Sequence, residues 1–227
     1  MTDAANFPRL VLFDLDGTLL DSAPDMLAAV NTMRAARGIA PMLLSELRPH
    51  VSKGSRAMVQ AAFPDLDPAA REGWIPEFLD VYQSELGRHC GPFDGIETML
   101  GRLEQAGCVW GIVTNKPEYL AAPLLPMLGW QDRCRVLIGG DSLPARKPDP
   151  LPLRVAAERI GFAPAQCIYV GDDERDIVAA RAAGMPSVVA LWGYRLSEDD
   201  PFAWQGDVLV DRPHDLCNAM AWPRCHV

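Results

Sequence analysis

Five short apolar runs stand out along the chain: Leu10–Leu15, Cys108–Val113, Val136–Ile138, Cys167–Val170 and Ser187–Leu191, with a sixth at Asp207–Val210. Nearly unbroken apolar strands of this length are buried on both faces, as in a parallel sheet covered by helices. Helix-period stretches separate the later runs, over Glu97–Gln105, Ala121–Leu128, Leu151–Ile160 and Asp176–Ala183. Gly107, Gly161 and Gly184 follow three of these where a carboxyl-terminal cap is expected. The pattern predicts an α/β fold: a doubly wound parallel sheet with a Rossmann-like core, and Asp207–Val210 as its edge strand.

One interval breaks the alternation. From Ser22 to about Cys90 the pattern is helical, with a start at Ser22-Ala23-Pro24-Asp25 and an end at Gly38. Further helices are predicted over Leu43–Leu47, Ser55–Phe63 and Pro68–Gly87. This predicts a helical cap domain, residues 21–90, inserted after the first strand of a core domain made of residues 1–20 and 91–227.

The chain of 227 residues is long enough for one sizeable core and a smaller second lobe. Its net charge of -9 leaves no basic footprint for nucleic acid. An anionic substrate would need positive charge concentrated locally, in a metal ion or a few basic side chains. The six cysteines form no CxxC pair, which speaks against a zinc site or a disulfide framework. Met1–Leu10 carries no secretory pattern, and no apolar run approaches the roughly 20 residues of a membrane span. The expectation is a cytoplasmic protein, monomer or homodimer, with no membrane partner. The tail Trp222–Val227 lacks any pattern and is expected to lack order.

The candidate chemistry lies where strands end. Asp14 and Asp16 are two apart, so in extended chain their carboxylates share a side. Their mutual repulsion would be relieved by a divalent cation. Asp16-Gly17 could instead be a hairpin turn. The second run ends in Thr114-Asn115-Lys116, whose hydroxyl and nearby backbone amides could contact phosphate. The fourth ends in Gly171-Asp172-Asp173, with Asp176 one turn later, an oxygen-rich set suited to magnesium. In an open parallel sheet the carboxyl ends of strands form the ligand-binding edge, and Asp14, Thr114 and Asp172 all fall there. Lys147, in the loop Ala145–Pro150, could supply a fixed cation, with Arg146 competing for that role.

Asp14-x-Asp16-Gly17-Thr18, Thr114-Asn115-Lys116, Lys147-Pro148 and Gly171-Asp172-Asp173-x-x-Asp176 together resemble the four ordered motifs of haloacid dehalogenase-like phosphatases. The resemblance covers essentially the whole chain, helical insertion included. It implies that Asp14 attacks phosphorus and becomes phosphorylated, while Asp16 protonates the leaving oxygen and later activates water. It further implies Mg2+ between Asp14, the Asp16 carbonyl and Asp172, and a phosphoryl group held by Thr114, Asn115 and Lys147. Asp173 and Asp176 are expected to orient water around the metal. A receiver-type signalling domain is disfavoured, since it carries no large helical insertion after the first strand, and a dehalogenase has no use for Asp16 or the metal. A phosphomutase would need a sugar bisphosphate.

In the cap, His50-Val51-Ser52-Lys53-Gly54-Ser55-Arg56 reads either as a solvated helix start or as an anion site. On the second reading, Lys53 and Arg56 meet a further anion, such as a carboxylate, on a small phosphate ester. The motif order, the cap and Trp192-Gly193-Tyr194 resemble bacterial phosphoglycolate phosphatases, which implies 2-phosphoglycolate as substrate. N-acetylmuramic acid 6-phosphate phosphatases share much of the pattern, including a tryptophan like Trp204, and stand as the alternative.

Overall fold

A computed structural model describes residues 7–225, so Met1–Asn6, His226 and Val227 lie outside the described residues. The chain enters through β1 (Leu10–Phe13) and a short strand β2 (Leu20–Asp21). Four helices follow: α1 (Ala23–Ala35), α2 (Leu44–Leu47), α3 (Ser55–Ala62) and α4 (Pro68–Glu85), with a 3-10 turn over Arg48–Lys53. The chain returns through β3 (Gly91–Pro92), which pairs antiparallel with β2. It continues as α5 (Ile96–Gln105), β4 (Val109–Val113), α6 (Glu118–Ala121), α7 (Leu124–Met127), β5 (Cys134–Ile138) and α8 (Leu151–Ile160). β6 (Cys167–Gly171), α9 (Glu174–Ala183), β7 (Ser187–Ala190) and β8 (Val208–Val210) complete it.

All six predicted apolar runs enter one sheet, in the order β5-β4-β1-β6-β7-β8 and parallel throughout. All four residues of β1 are completely buried, which explains its uninterrupted apolar sequence. The connections run outward on either side of β1, so the strand order reverses there. A crevice therefore opens at the carboxyl ends of β4, β1 and β6. β8 is an edge strand, as the weaker sixth run predicts.

Two stretches depart from expectation. Ala121–Leu128 is not one helix but the pair α6 and α7, because Pro123 has no N–H and its ring obstructs a continuous turn. The tail is packed in its described part: Trp222 is buried and its indole N–H donates to the Leu216 carbonyl at 3.0 Å. Burying that large ring orders a segment without periodicity.

The helical insertion has an apolar cluster of its own, drawn from Met26, Val30 and Met33 of α1, Met58 and Val59 of α3, and Phe78 and Tyr82 of α4. Phe78 and Tyr82, one turn apart, stack at 6.0 Å. Among the described residues, no helix is long and apolar enough to cross a membrane. Asp25, fully buried on α1, ties the outgoing chain to the returning one. Its carboxylate accepts N–H groups from Gly87 at 2.8 Å, His89 at 2.6 Å and Cys90 at 3.1 Å. Asp25→Ala strands three amides and is expected to lower the unfolding free energy by roughly 2–4 kcal/mol in urea denaturation; a loss below about 1 kcal/mol would show that the tether is dispensable.

Candidate active site

Asp14 stands one residue beyond β1, its N–H donating to the Val170 carbonyl at 2.9 Å and so extending the ladder to β6. The next residues do not form a hairpin. The N–H groups of Leu19 and Leu20 both return to the Leu15 carbonyl, at 3.0 and 2.9 Å, which curls the loop over the strand end. Gly17, at φ +84°, is pressed against Asp172: a Cβ there would lie 2.2 Å from Asp172 Oδ2. Glycine is thus required both by conformation and by space.

Asp172, just past β6, is completely buried. It accepts the Thr18 hydroxyl at 3.0 Å, the Tyr194 N–H at 2.9 Å and the Ser52 hydroxyl at 2.7 Å. Asp14, Asp172 and Asp176 each present a carboxylate oxygen, and these lie within 4.8 Å of one another. Lys147 enters the same cluster, almost wholly buried: its Nζ lies 3.0 Å from Asp14 Oδ1 and 2.6 Å from Asp176 Oδ1, and donates to the Tyr169 hydroxyl at 2.7 Å. Arg146 is exposed at the mouth. The geometry thus distinguishes the two basic residues that the loop sequence left open.

Burial pushes the Asp172 carboxyl well above the ordinary carboxylate range, and the charges of Asp14 and Asp176 add to it. Burial also raises Asp176, to about 6, with Lys147 opposing and Asp14 reinforcing. Burial would lower Lys147, yet Asp14 and Asp176 outweigh it and hold the ammonium above its ordinary value. Three carboxylates against one ammonium leave a net negative pocket of hard oxygen donors, the donor set a magnesium ion takes. The residues present therefore fit such an ion.

The other strand ends converge here. Thr114, buried past β4, accepts the Lys116 N–H on its hydroxyl at 3.2 Å. The Asn115 side-chain amide donates to the Lys147 carbonyl at 2.9 Å, joining two loops, and its Oδ1 is buried with no partner among the described residues. Asp14, Asp16, Thr114, Asn115 and Lys147 all line one cavity of about 680 Å³ between sheet edge and cap.

This arrangement has counterparts. The haloacid dehalogenase-like hydrolase family matches residues 11–190. The chain belongs to that family. It is 69% identical over 218 residues, covering 96% of this chain and 99% of the relative, to a phosphoglycolate phosphatase of Xanthomonas campestris pv. campestris (strain 8004). It is 44% identical, over 96% of each chain, to an N-acetylmuramic acid 6-phosphate phosphatase of Pseudomonas aeruginosa. A crystal structure of a predicted phosphoglycolate phosphatase from Haemophilus somnus 129PT superposes with a TM-score of 0.80 at 26% identity, over 93% of this chain and 96% of the other.

In this hydrolase the paired acids after β6 part company. Asp176 faces Asp14 and Asp172, whereas Asp173 turns to cap α9 and accepts from Arg175 Nε at 2.8 Å and Lys53 Nζ at 2.9 Å. Burial would raise Asp173, but Arg175 and Lys53 hold it below its ordinary value. The cap cations expected to face a second substrate anion are both paired with protein carboxylates. Lys53 lies 2.9 Å from Asp173 and 2.9 Å from Asp199, and exposed Arg56 makes a two-bond pair with Glu72. Those acids lie 120 and 146 residues from Lys53 and 16 from Arg56, so no local pattern announces the pairing.

Three contacts could not be read from local pattern, although Asp16 and Lys116 stand in the motifs. Lys116 is buried against Asp16, with Nζ 3.1 and 3.2 Å from its two oxygens, and also donates to the hydroxyl of Tyr82 from the cap. Ser52 reaches Asp172 from the cap as well. Each partner is remote in sequence: Asp16 and Lys116 meet because β1 and β4 are paired, and the packing of the cap on the sheet edge brings Tyr82 and Ser52 to Lys116 and Asp172.

Because Lys147 is the one ammonium inside the acid cluster, Lys147→Met is expected to lower stability by about 3–5 kcal/mol in metal-free denaturation. Much of that loss should return in the double variant with Asp176→Asn, which removes the charge left behind. Strictly additive losses would contradict this electrostatic account.

Proposed function

We propose that the protein hydrolyses small phosphate monoesters through an aspartyl-phosphate on Asp14, with 2-phosphoglycolate as substrate. The observation that carries this reading is the meeting of Asp14 and Lys147 with the buried Asp172 and Asp176 beside a cavity that Asp14, Asp16, Thr114 and Lys147 line. The 69% identity to a phosphoglycolate phosphatase supports the substrate.

An Asp14 oxygen bonds to phosphorus as the bond to the ester oxygen breaks, and Asp16 delivers a proton to the departing oxygen. In the second half, water attacks phosphorus, Asp16 takes its proton, and the Asp14–phosphorus bond breaks to free phosphate. Lys147 and the Thr114 hydroxyl hold the transferring oxygens, and Asn115 fixes the Lys147 loop. Asp14, Asp172 and the Asp16 carbonyl would hold magnesium, and Asp176 would orient its water; when bound, the ion supplies positive charge against the repulsion between carboxylate and phosphate. Six free thiols suit a reducing cytoplasm.

The substrate's carboxylate needs a cation. Among those lining the cavity, Lys53, Arg56, Lys116, Lys147 and Arg175 each have a carboxylate partner. Arg146 lines the cavity with none among the described residues, so we assign the carboxylate to Arg146. A second reading has an observation in its favour. The cavity of about 680 Å³, with an apolar wall of Met58, Ile75, Phe78 and Leu79, has room for far more than a two-carbon acid. This favours a bulkier carboxylate-bearing ester such as N-acetylmuramic acid 6-phosphate.

Phosphate release in the presence of Mg2+ tests the mechanism. Asp14→Asn should show no detectable turnover while remaining folded, and Asp16→Ala should slow at least about 100-fold. Substantial turnover by Asp14→Asn would contradict the covalent route. On wild type, kcat/KM for 2-phosphoglycolate should exceed that for N-acetylmuramic acid 6-phosphate; the opposite order selects the second reading. Arg146→Gln should raise KM for 2-phosphoglycolate about tenfold, the scale of one charge-assisted contact, and leave a neutral ester nearly unchanged. Arg56→Gln should change neither.

A further inference from the structure

We infer that Tyr82, a residue of the cap, is a positioning residue for the reaction: it holds Lys116 against Asp16 and so fixes the carboxylate that protonates the leaving oxygen. The inference rests on the role proposed for Asp16. Tyr82 sits on the last turns of α4, 2% exposed, with its ring stacked on Phe78. Its hydroxyl accepts from Lys116 Nζ, which also lies 4.4 Å from the centre of the Tyr82 ring. Lys116, 7% exposed, spends its remaining hydrogen-bonding capacity on Asp16.

The chemistry of the chain of contacts explains why the hydroxyl matters. A lysine ammonium is a point charge on a flexible stem, and one carboxylate partner does not fix its position. A second, rigid acceptor does. The Tyr82 ring is locked by its stacking, so its hydroxyl places the ammonium, and the ammonium at 3.1 and 3.2 Å from both Asp16 oxygens sets the plane of that carboxylate. Proton delivery demands such placement, because a displaced acid loses rate steeply. Tyr82 touches neither Asp14 nor Asp172 and belongs to none of the residues that would hold the metal. Tyr82 also lines the cavity, and its hold on Asp16 passes through Lys116.

The test exploits leaving groups that need an acid to different degrees. The leaving oxygen departs in the step that phosphorylates Asp14, which kcat/KM reports. An alkyl oxygen leaves only with a proton, whereas p-nitrophenolate departs readily without one. Tyr82→Phe keeps the ring and its packing and removes only the hydroxyl. It is expected to lower kcat/KM for 2-phosphoglycolate about tenfold, with the fall carried by kcat rather than KM, and to leave p-nitrophenyl phosphate within about twofold. Lys116→Met should show the same selectivity, and the double variant should be no slower than Lys116→Met alone. Equal falls for the two esters, a fall confined to KM, or additive losses would overturn the inference while leaving the hydrolytic reading intact. A wild-type protein that releases phosphate from neither of these esters nor from N-acetylmuramic acid 6-phosphate would refute that reading, and the inference with it.

Discussion

Carboxylates that share a largely buried site repel one another, and the sheet edge of this protein gathers three of them around a single ammonium. Asp172 and Asp176 are fully buried and Asp14 keeps only 13% of its side chain exposed, so water does little to screen the cluster. Lys147 neutralises part of the charge, and the remainder gives the site its affinity for positive charge. Everything that surrounds the cluster serves to hold it in this unfavourable state. Thr18, Ser52 and the Tyr194 backbone amide donate to Asp172, the Asp173 N–H donates to Asp176, and the Leu15 N–H donates to Asp14. The folding energy of a central, wholly apolar β1 holds the cluster in place.

The cap is joined to this edge by polar contacts to the acid cluster and to the side chains beside it. Ser52 meets Asp172, Lys53 meets Asp173, and Tyr82 meets the lysine that holds Asp16. A cap seated in this way walls the cavity opposite the sheet edge and brings Tyr82 to the lysine beside Asp16. The two-strand ribbon of β2 and β3, with Asp25 bridging across it, fixes where the outgoing and returning segments cross.

Much of this was legible in the chain, for identifiable reasons. Continuous apolar runs such as Leu10–Phe13 and Cys167–Val170 announce buried parallel strands, and in a parallel sheet every residue just past a strand belongs to one rim. Asp14, Thr114 and Asp172 were therefore traceable from position alone. What escaped depends on distance in space. Asp176 and Asp173 are three residues apart on one turn, yet one enters the acid cluster and the other caps the helix, a distinction set by how α9 docks. Lys53 and Arg56 read as free cations because their partners Asp199 and Glu72 are invisible to local pattern. Lys116 stood in a motif, but its pairing with Asp16 and with a tyrosine in the cap carried no local signal. Pro123 was the one local feature whose effect outweighed an otherwise helical period.

The central claim is that the carboxylates at this rim form a site for one divalent cation. Titration of the metal-free protein with Mg2+, followed by the thermal unfolding midpoint, tests it without reference to turnover. The account predicts a rise in midpoint that saturates as a single site in the wild-type protein and is lost in Asp172→Asn, whose carboxylate has become a neutral amide. Equal stabilisation of both proteins by Mg2+, or of neither, would contradict it.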